Sequence, residues 1–243
     1  MGTRGAGSVA RRALALALLC AGPCAAQAAE GDQPPEPEVV VPLVVPEAEL
    51  DALAAGDPRR ADLLVKLAVR RHADAVEMAR AEAQAHELAL REWRAENEAV
   101  VPPVRRPPPA RATPRADALR AQSVTFTQRA LAESPEAAGL PPALLVGGID
   151  ADRIGRPRDA LKMLAFLIRR FPEDRHVPDA WLAIGEHHLR RGDLTRARVA
   201  FEVAQRRGTT AVRAWAAGRL GEMGQRAANG LLRPDSPAAS HAH

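Results

Sequence analysis

Apolar residues recur at helical spacing along most of the chain. From Ala61 to about Asn97, helix-forming residues run without an internal Gly or Pro. Leu63, Leu64 and Leu67 open an apolar stripe that thins to Ala75, Val76, Ala79 and Ala83, then resumes at Leu90 and Trp93. Steps of three and four residues keep such positions on one side of a helix, so the pattern predicts one long helix. Asp57-Pro58 suits its entry, because Pro is tolerated in a first turn. The first half should pack more tightly than the second. No heptad is sustained, so the packing is expected to be within the molecule rather than in a coiled coil.

A second pattern repeats. Trp181, Ile184, Gly185 and His188 lie on a first helical face. Gly192-Asp193 supplies a helix-ending residue and an N-cap, and Leu194, Ala197, Phe201 and Ala204 lie on a second face. The same register stands 37 residues upstream, where Gly155, Ala160, Leu164, Leu167 and Pro172 precede Gly192, Ala197, Phe201, Ala204 and Thr209. The first helix of that earlier unit, roughly 141–153, carries Gly147-Gly148 where a bulky residue is expected before the second Gly. Another step back places Ala130 and Pro135 in register, so 116–133 reads as the second helix of a degraded first unit. Downstream, Leu220-Gly221 follow Ile184-Gly185 by 36 residues, and 211–223 reads as a last first helix with nothing packed after it. Gly185 and Ala197 are small where two antiparallel helices approach, and Trp181, Ile184, Leu194 and Phe201 fill the space around them.

The spacing of Trp181, Ile184, Gly185, His188, Ala197 and Phe201 resembles the tetratricopeptide repeat, whose period is about 34 residues. The surplus falls in Phe171-Pro172-Glu173-Asp174-Arg175-His176-Val177-Pro178-Asp179-Ala180. That phrase is similar to the long turn of bacterial cell-envelope tetratricopeptide proteins, such as outer-membrane assembly lipoproteins, Tol-Pal coordinators and gliding-motility components. The resemblance covers 116–224 and, more loosely, 60–79. It implies an all-α fold: a short solenoid of antiparallel helix pairs, preceded by a long N-terminal helix and Pro-rich linkers. It also implies a non-enzymatic scaffold that binds a partner peptide or helix on the concave face, in the periplasm or cell envelope of a Gram-negative bacterium.

Composition agrees with helices. Of 243 residues, 47% are apolar and only 3% aromatic, with no Tyr, which disfavours strands. Residues 1–28 have the parts of an export signal: Arg11-Arg12, an apolar run from Ala13 to about Cys20, and small residues near Ala26-Gln27-Ala28. The run is too short to span a bilayer, so no transmembrane segment is expected after cleavage. Removing Arg4, Arg11 and Arg12 reduces 34 basic residues to 31, against 30 acidic ones. A nearly neutral exported chain gives no reason to expect nucleic acid as a partner. Cys20 and Cys24 lie within this leader, so no disulfide is expected. Neither is preceded by Leu-small-small, so no lipid anchor is expected.

The remaining organisation follows from proline. Residues 29–46 read as an acidic, Pro-rich extended tether, in which Val39–Val41 and Leu43–Val45 could also add a strand to a partner. Residues 47–99 hold the long helix, and 100–115 form a stiff linker in which prolines alternate with Arg105, Arg106, Arg111 and Arg115. The repeats occupy 116–224, and 225–243 reads as a disordered tail. The linker offers an alternative function, contact with an anionic polymer; another is a spacer between envelope layers.

No catalytic constellation is present. His187 and His188 point about 100° apart on a helix and cannot chelate together as an i, i+4 pair can. His188, at the repeat's Tyr position, is expected as a packed ring. Asp150, Asp152, Glu186 and Glu222 have no evident nucleophile or buried partner and read as a solvated face. No metal or cofactor is expected. The partner-binding residues expected on the concave face are Leu182, Glu186, Leu189, Arg190, Trp215, Glu222 and Arg226, with Leu145 and Ile149 in the earlier unit. The two glutamates argue against a carboxylate clamp, leaving Trp215 and Leu189 as apolar anchors.

Overall fold

The structure, a computed structural model, describes residues 47–54, 57–98, 107–110 and 112–228. The export signal, the tether, most of the basic linker and residues 229–243 lie outside the described residues. Those described form eight helices and no strand. In chain order they are α1 (Glu47–Ala52), α2 (Pro58–Glu98), α3 (Pro114–Glu133), α4 (Leu140–Arg153), α5 (Pro157–Arg170), α6 (Val177–Arg190), α7 (Leu194–Arg207) and α8 (Thr210–Ala228). The long helix begins at the expected proline. Its burial is confined to the first half, at Ala61, Leu64, Val65, Leu67, Ala68 and Ala75.

Helix pairs are built by the same local rules twice. Gly155 and Gly192 both take φ 76° after α4 and α6, a conformation open to glycine at no steric cost. In each, the following N–H reaches back to close the helix: Arg156 N to Ala151 O at 2.7 Å, and Asp193 N to His188 O at 3.0 Å. The Asp193 carboxylate then accepts from Arg196 N at 3.0 Å and caps α7. Between pairs, Asp174 Oδ1 accepts from His176 N at 2.8 Å and folds the turn that leads into α6.

Helices cross closely where the register places glycine. A Cβ at Gly148 would lie 2.7 Å from Leu164 Cγ, and one at Gly185 would lie 2.5 Å from Phe201 Cε1. Both sites are therefore holes filled by one large side chain of the next helix. Gly147, where a bulky residue was expected, serves a different neighbour. It faces α3, where a Cβ would come within 2.8 Å of Thr127 Cβ. Thr127 is fully buried there, and its hydroxyl donates within α3 to Ser123 O at 2.9 Å and lies 3.1 Å from Ala143 O of α4.

The degraded first unit is complete once α2 is included. α3 packs along α2 in the antiparallel sense: Arg60 near the start of α2 bonds Glu133 at the end of α3, and Glu82 farther along α2 accepts from Arg115 N at its beginning. The pairs are thus α2/α3, α4/α5 and α6/α7, with α8 packed on α7 and α6. A continuous core runs through the first two pairs and reaches α6, including Leu64, Val124, Leu140, Leu144, Leu164, Leu167 and Ala180.

Candidate partner-binding face

The first helices of successive pairs touch: α2 packs on α4, α4 on α6 and α6 on α8. Among the described residues, α3, α5 and α7 make no such contacts with one another. The first helices therefore form the inner side of the stack, as repeat architecture requires.

Each inner junction is closed by a carboxylate. His72 Nδ1 of α2 lies 2.9 Å from Asp150 Oδ1 of α4. Asp152 of α4 receives two groups from α6, His187 Nδ1 at 2.6 Å and the Arg190 guanidinium. Because a carboxylate only accepts, Nδ1 carries the proton in both histidines. Glu186 of α6 receives Trp215 Nε1 at 3.2 Å and Arg219 Nε at 2.6 Å, both from α8. Arg219 also donates to Glu222 Oε2 at 2.9 Å and lies over the Trp215 ring, 5.5 Å from its centroid. Reading Asp150, Asp152 and Glu186 as solvated is corrected by these contacts: Asp150 is 1% and Glu186 5% exposed, and Asp152 is half-buried. Their partners lie 29 to 78 residues away, beyond any local spacing rule.

The residues expected to bind a partner divide by exposure. Leu182 is fully enclosed and offers no surface. Glu186 is buried and directs its charge at Trp215 and Arg219 rather than outward. Leu189 and Trp215 are half-buried, and Arg190, Glu222 and Arg226 are exposed. Of the earlier pair, Leu145 is buried and Ile149 half-buried. Two residues that sequence reasoning missed, Asp152 and Arg219, bind expected ones together. Arg219 stands four residues after Trp215 and three before Glu222, a spacing that puts all three on one side of α8.

Burial holds the His187 imidazole below its ordinary pKa, and nearby Arg191 adds to the effect. It is the more enclosed of the two adjacent histidines. The half-buried His188 packs edge-on against it at a centroid distance of 5.2 Å, and burial and then His187 lower its pKa also. Asp179, in the first turn of α6, is pushed up to about 6 by burial. Among the described residues no group of three His, Cys, Asp or Glu side chains could hold a metal ion. No helix among them is long and apolar enough to cross a membrane.

No curated protein and no solved structure gives a significant match to the chain. Residues 145–212 match the family model for the tetratricopeptide repeat. That span begins in α4, contains α5 to α7, and ends in the first turn of α8, so the chain carries a tetratricopeptide-repeat segment in an all-α solenoid.

Proposed function

We propose that the chain is a non-enzymatic protein-interaction scaffold whose inner face, formed by the first helices, receives a segment of a partner protein. Tetratricopeptide repeats generally mediate protein–protein contact, and the stacking of α4, α6 and α8 on one another supports the reading. The observation that carries the reading is Trp215. Its ring is half-buried at the inner edge, its orientation is fixed by a hydrogen bond to Glu186, and Leu189, Arg190, Glu222 and Arg226 add apolar and charged surface from the same two helices. A rigid aromatic beside charged residues is the usual composition of an interface anchor.

Export to a Gram-negative envelope belongs to the same proposal, supported by the pattern of the first 28 residues and by the long turn between pairs. N-terminal sequencing of the protein from a periplasmic fraction tests it; an intact Met1 would refute export with cleavage. For binding, the test is affinity capture from native envelopes followed by titration with the captured protein. Trp215→Ala is expected to cost about 2 kcal/mol of binding. Unchanged affinity would remove Trp215 and this face from the interface.

A further inference from the structure

The near neutrality of the whole chain conceals a separation of charge. Residues 153–213 carry 14 Lys and Arg against seven Asp and Glu, whereas 47–98 carry eight against 12. Most of the seven acidic residues in the repeat segment are already engaged. Asp159 pairs with Arg156, and Asp193 caps α7 and pairs with Arg196. Asp174 folds a turn, Glu186 holds Arg219, and Glu173 lies 3.9 Å from Arg207. Arg158, Lys162 and Arg169 of α5, with Arg198 and Arg206 of α7, are all exposed, and none has an ion pair with a described residue.

These cations share a side. Arg158, Lys162 and Arg169 stand four and seven residues apart, which puts them in one stripe, half a turn from the buried Ala160, Met163, Leu164 and Leu167. Arg206 is the equivalent of Arg169, 37 residues on, and stands opposite the buried Ala197, Ala200, Phe201 and Ala204, with Arg198 on its flank. Both helices therefore turn their cations away from the first helices and from the inner face. Val199, 53% exposed, lies in the same sector of α7 as Arg206, at the position equivalent to Lys162.

Helix stability does not explain the stripe. The macrodipole favours Arg169 and Arg206, which lie in last turns. It opposes Arg158, the second residue of α5, and Arg158 with Lys162 is a like-charge pair one turn apart. An arrangement that folding disfavours, and that no described carboxylate offsets, calls for an anion from outside. Its class follows from the surroundings. The cations lie along helices of two successive pairs, a broad surface rather than a pocket. Phe166 is half-buried and Phe201 buried, so neither helix exposes an aromatic ring for bases to stack on. An exposed valine among arginines suits the boundary between lipid headgroups and acyl chains.

We infer that the outward side of α5 and α7 docks on the phosphate headgroups of an anionic phospholipid bilayer, leaving the inner face free for a protein partner. The two faces lie on opposite sides of the helix pairs, so either reading can fail without the other. The test is co-sedimentation of the protein, as isolated from cells, with vesicles of phosphatidylcholine containing phosphatidylglycerol. Vesicles of phosphatidylcholine alone report any contribution from residues 1–28. Binding to the anionic vesicles is expected, and added salt should weaken it. Each cation near such a surface contributes about fivefold, so Arg158→Gln, Lys162→Gln and Arg169→Gln together should weaken partitioning by about a hundredfold. The unfolding temperature should not fall, since all three positions are exposed. The same loss of net charge placed on α2, as Lys66→Gln, Arg91→Gln and Arg94→Gln, should leave partitioning nearly unchanged, as should Trp215→Ala. The proposal is overturned if the protein does not bind anionic vesicles, or if the α2 variant loses as much as the α5 variant, since net charge alone would then be responsible. Tighter binding to duplex DNA, with the same dependence on Arg158, Lys162 and Arg169, would assign the face to nucleic acid. Vesicle binding that appears only after removal of 29–46 would assign it to the chain's own acidic segment. Either result also overturns the proposal.

Discussion

Replacing Gly185 and Gly221 separately with alanine tests the register on which the fold rests, because the two substitutions are chemically identical and their surroundings are opposite. In a helix interior Gly→Ala gains about 1 kcal/mol from propensity alone. At Gly221 nothing described opposes that gain, so Gly221→Ala should stabilise the protein by about 0.5–1 kcal/mol. At Gly185 the new methyl would sit 2.5 Å from Phe201 Cε1 and 2.6 Å from Phe201 Cδ1. Phe201 is fully buried, so its ring cannot swing into solvent. Overpacking of this kind costs about 1–3 kcal/mol, which offsets or exceeds the propensity gain. The two variants should therefore differ by about 1–3 kcal/mol. For a chain of this size each kcal/mol moves Tm by about 2–4 °C, so thermal melts followed by circular dichroism resolve the difference. Shortening the opposing side chain with Phe201→Leu should recover part of the loss in the double variant with Gly185→Ala, a coupling expected only for residues in contact. Equal melting temperatures for the two single variants would refute the crossing at Gly185. So would a loss at Gly221 as large as that at Gly185.

Other consequences follow from the inner junctions. Glu186→Ala removes the acceptor for Trp215 and leaves the partly buried Arg219 without its shortest bond; a loss of about 2–4 kcal/mol is expected in denaturant melts, and Glu186→Gln should lose less because the amide oxygen still accepts. A neutral Glu186→Ala would show that the α6–α8 junction is held by packing alone. Thr127→Val keeps the shape beside Gly147 and removes the buried hydroxyl, for a loss of about 1 kcal/mol in the same melts; no loss would mean that the hydroxyl is dispensable. Asp179 supplies a pH signature. Its folded pKa of about 6 exceeds the unfolded 3.8, so the folded state binds the proton more tightly, and stability falls as pH rises from about 4 to 6. Asp179→Asn should therefore be more stable than the parent at pH 7, by on the order of 1 kcal/mol, with the advantage disappearing below about pH 4; equal stability at both pH values would contradict burial of this carboxyl.

The parts legible in the sequence are those imposed by helix crossing. A close crossing demands a small residue opposite a large one at fixed intervals, and that demand wrote Gly148, Gly185, Leu164 and Phe201 at a spacing that can be counted. The helix stops at Gly155 and Gly192 are legible for a similar reason, since a positive φ admits few residues. The first pair was harder to read. α2 packs on α3 with an alanine-rich stripe, and alanine is an excellent helix former that does not declare which face is buried. Thr127 opposite Gly147 inverts the usual order of large and small across that interface. Either residue alone looks like a departure from the repeat, and together they fit.

The carboxylates were misread because their energetics depend on pairing across the stack, which no local spacing reveals. Asp150, Asp152 and Glu186 lie on helical faces whose neighbours are apolar or charged in equal measure, and an isolated charge of that kind belongs in water. Here each meets a donor from the adjacent first helix, and the three junctions use different donors: His72, then His187 with Arg190, then Trp215 with Arg219. Packing repeats its chemistry from pair to pair because the backbone crossing is the same each time. The polar contacts do not repeat, so they can distinguish one junction from the next and hold α8 in a defined orientation against α6. That orientation sets the surface on which partner binding is proposed, since Trp215 stands on α8 and is held by Glu186 of α6. Loosening Glu186 should therefore weaken Trp215-dependent binding, whereas Gly221→Ala, at a position on α8 that no described residue approaches, should leave that binding intact.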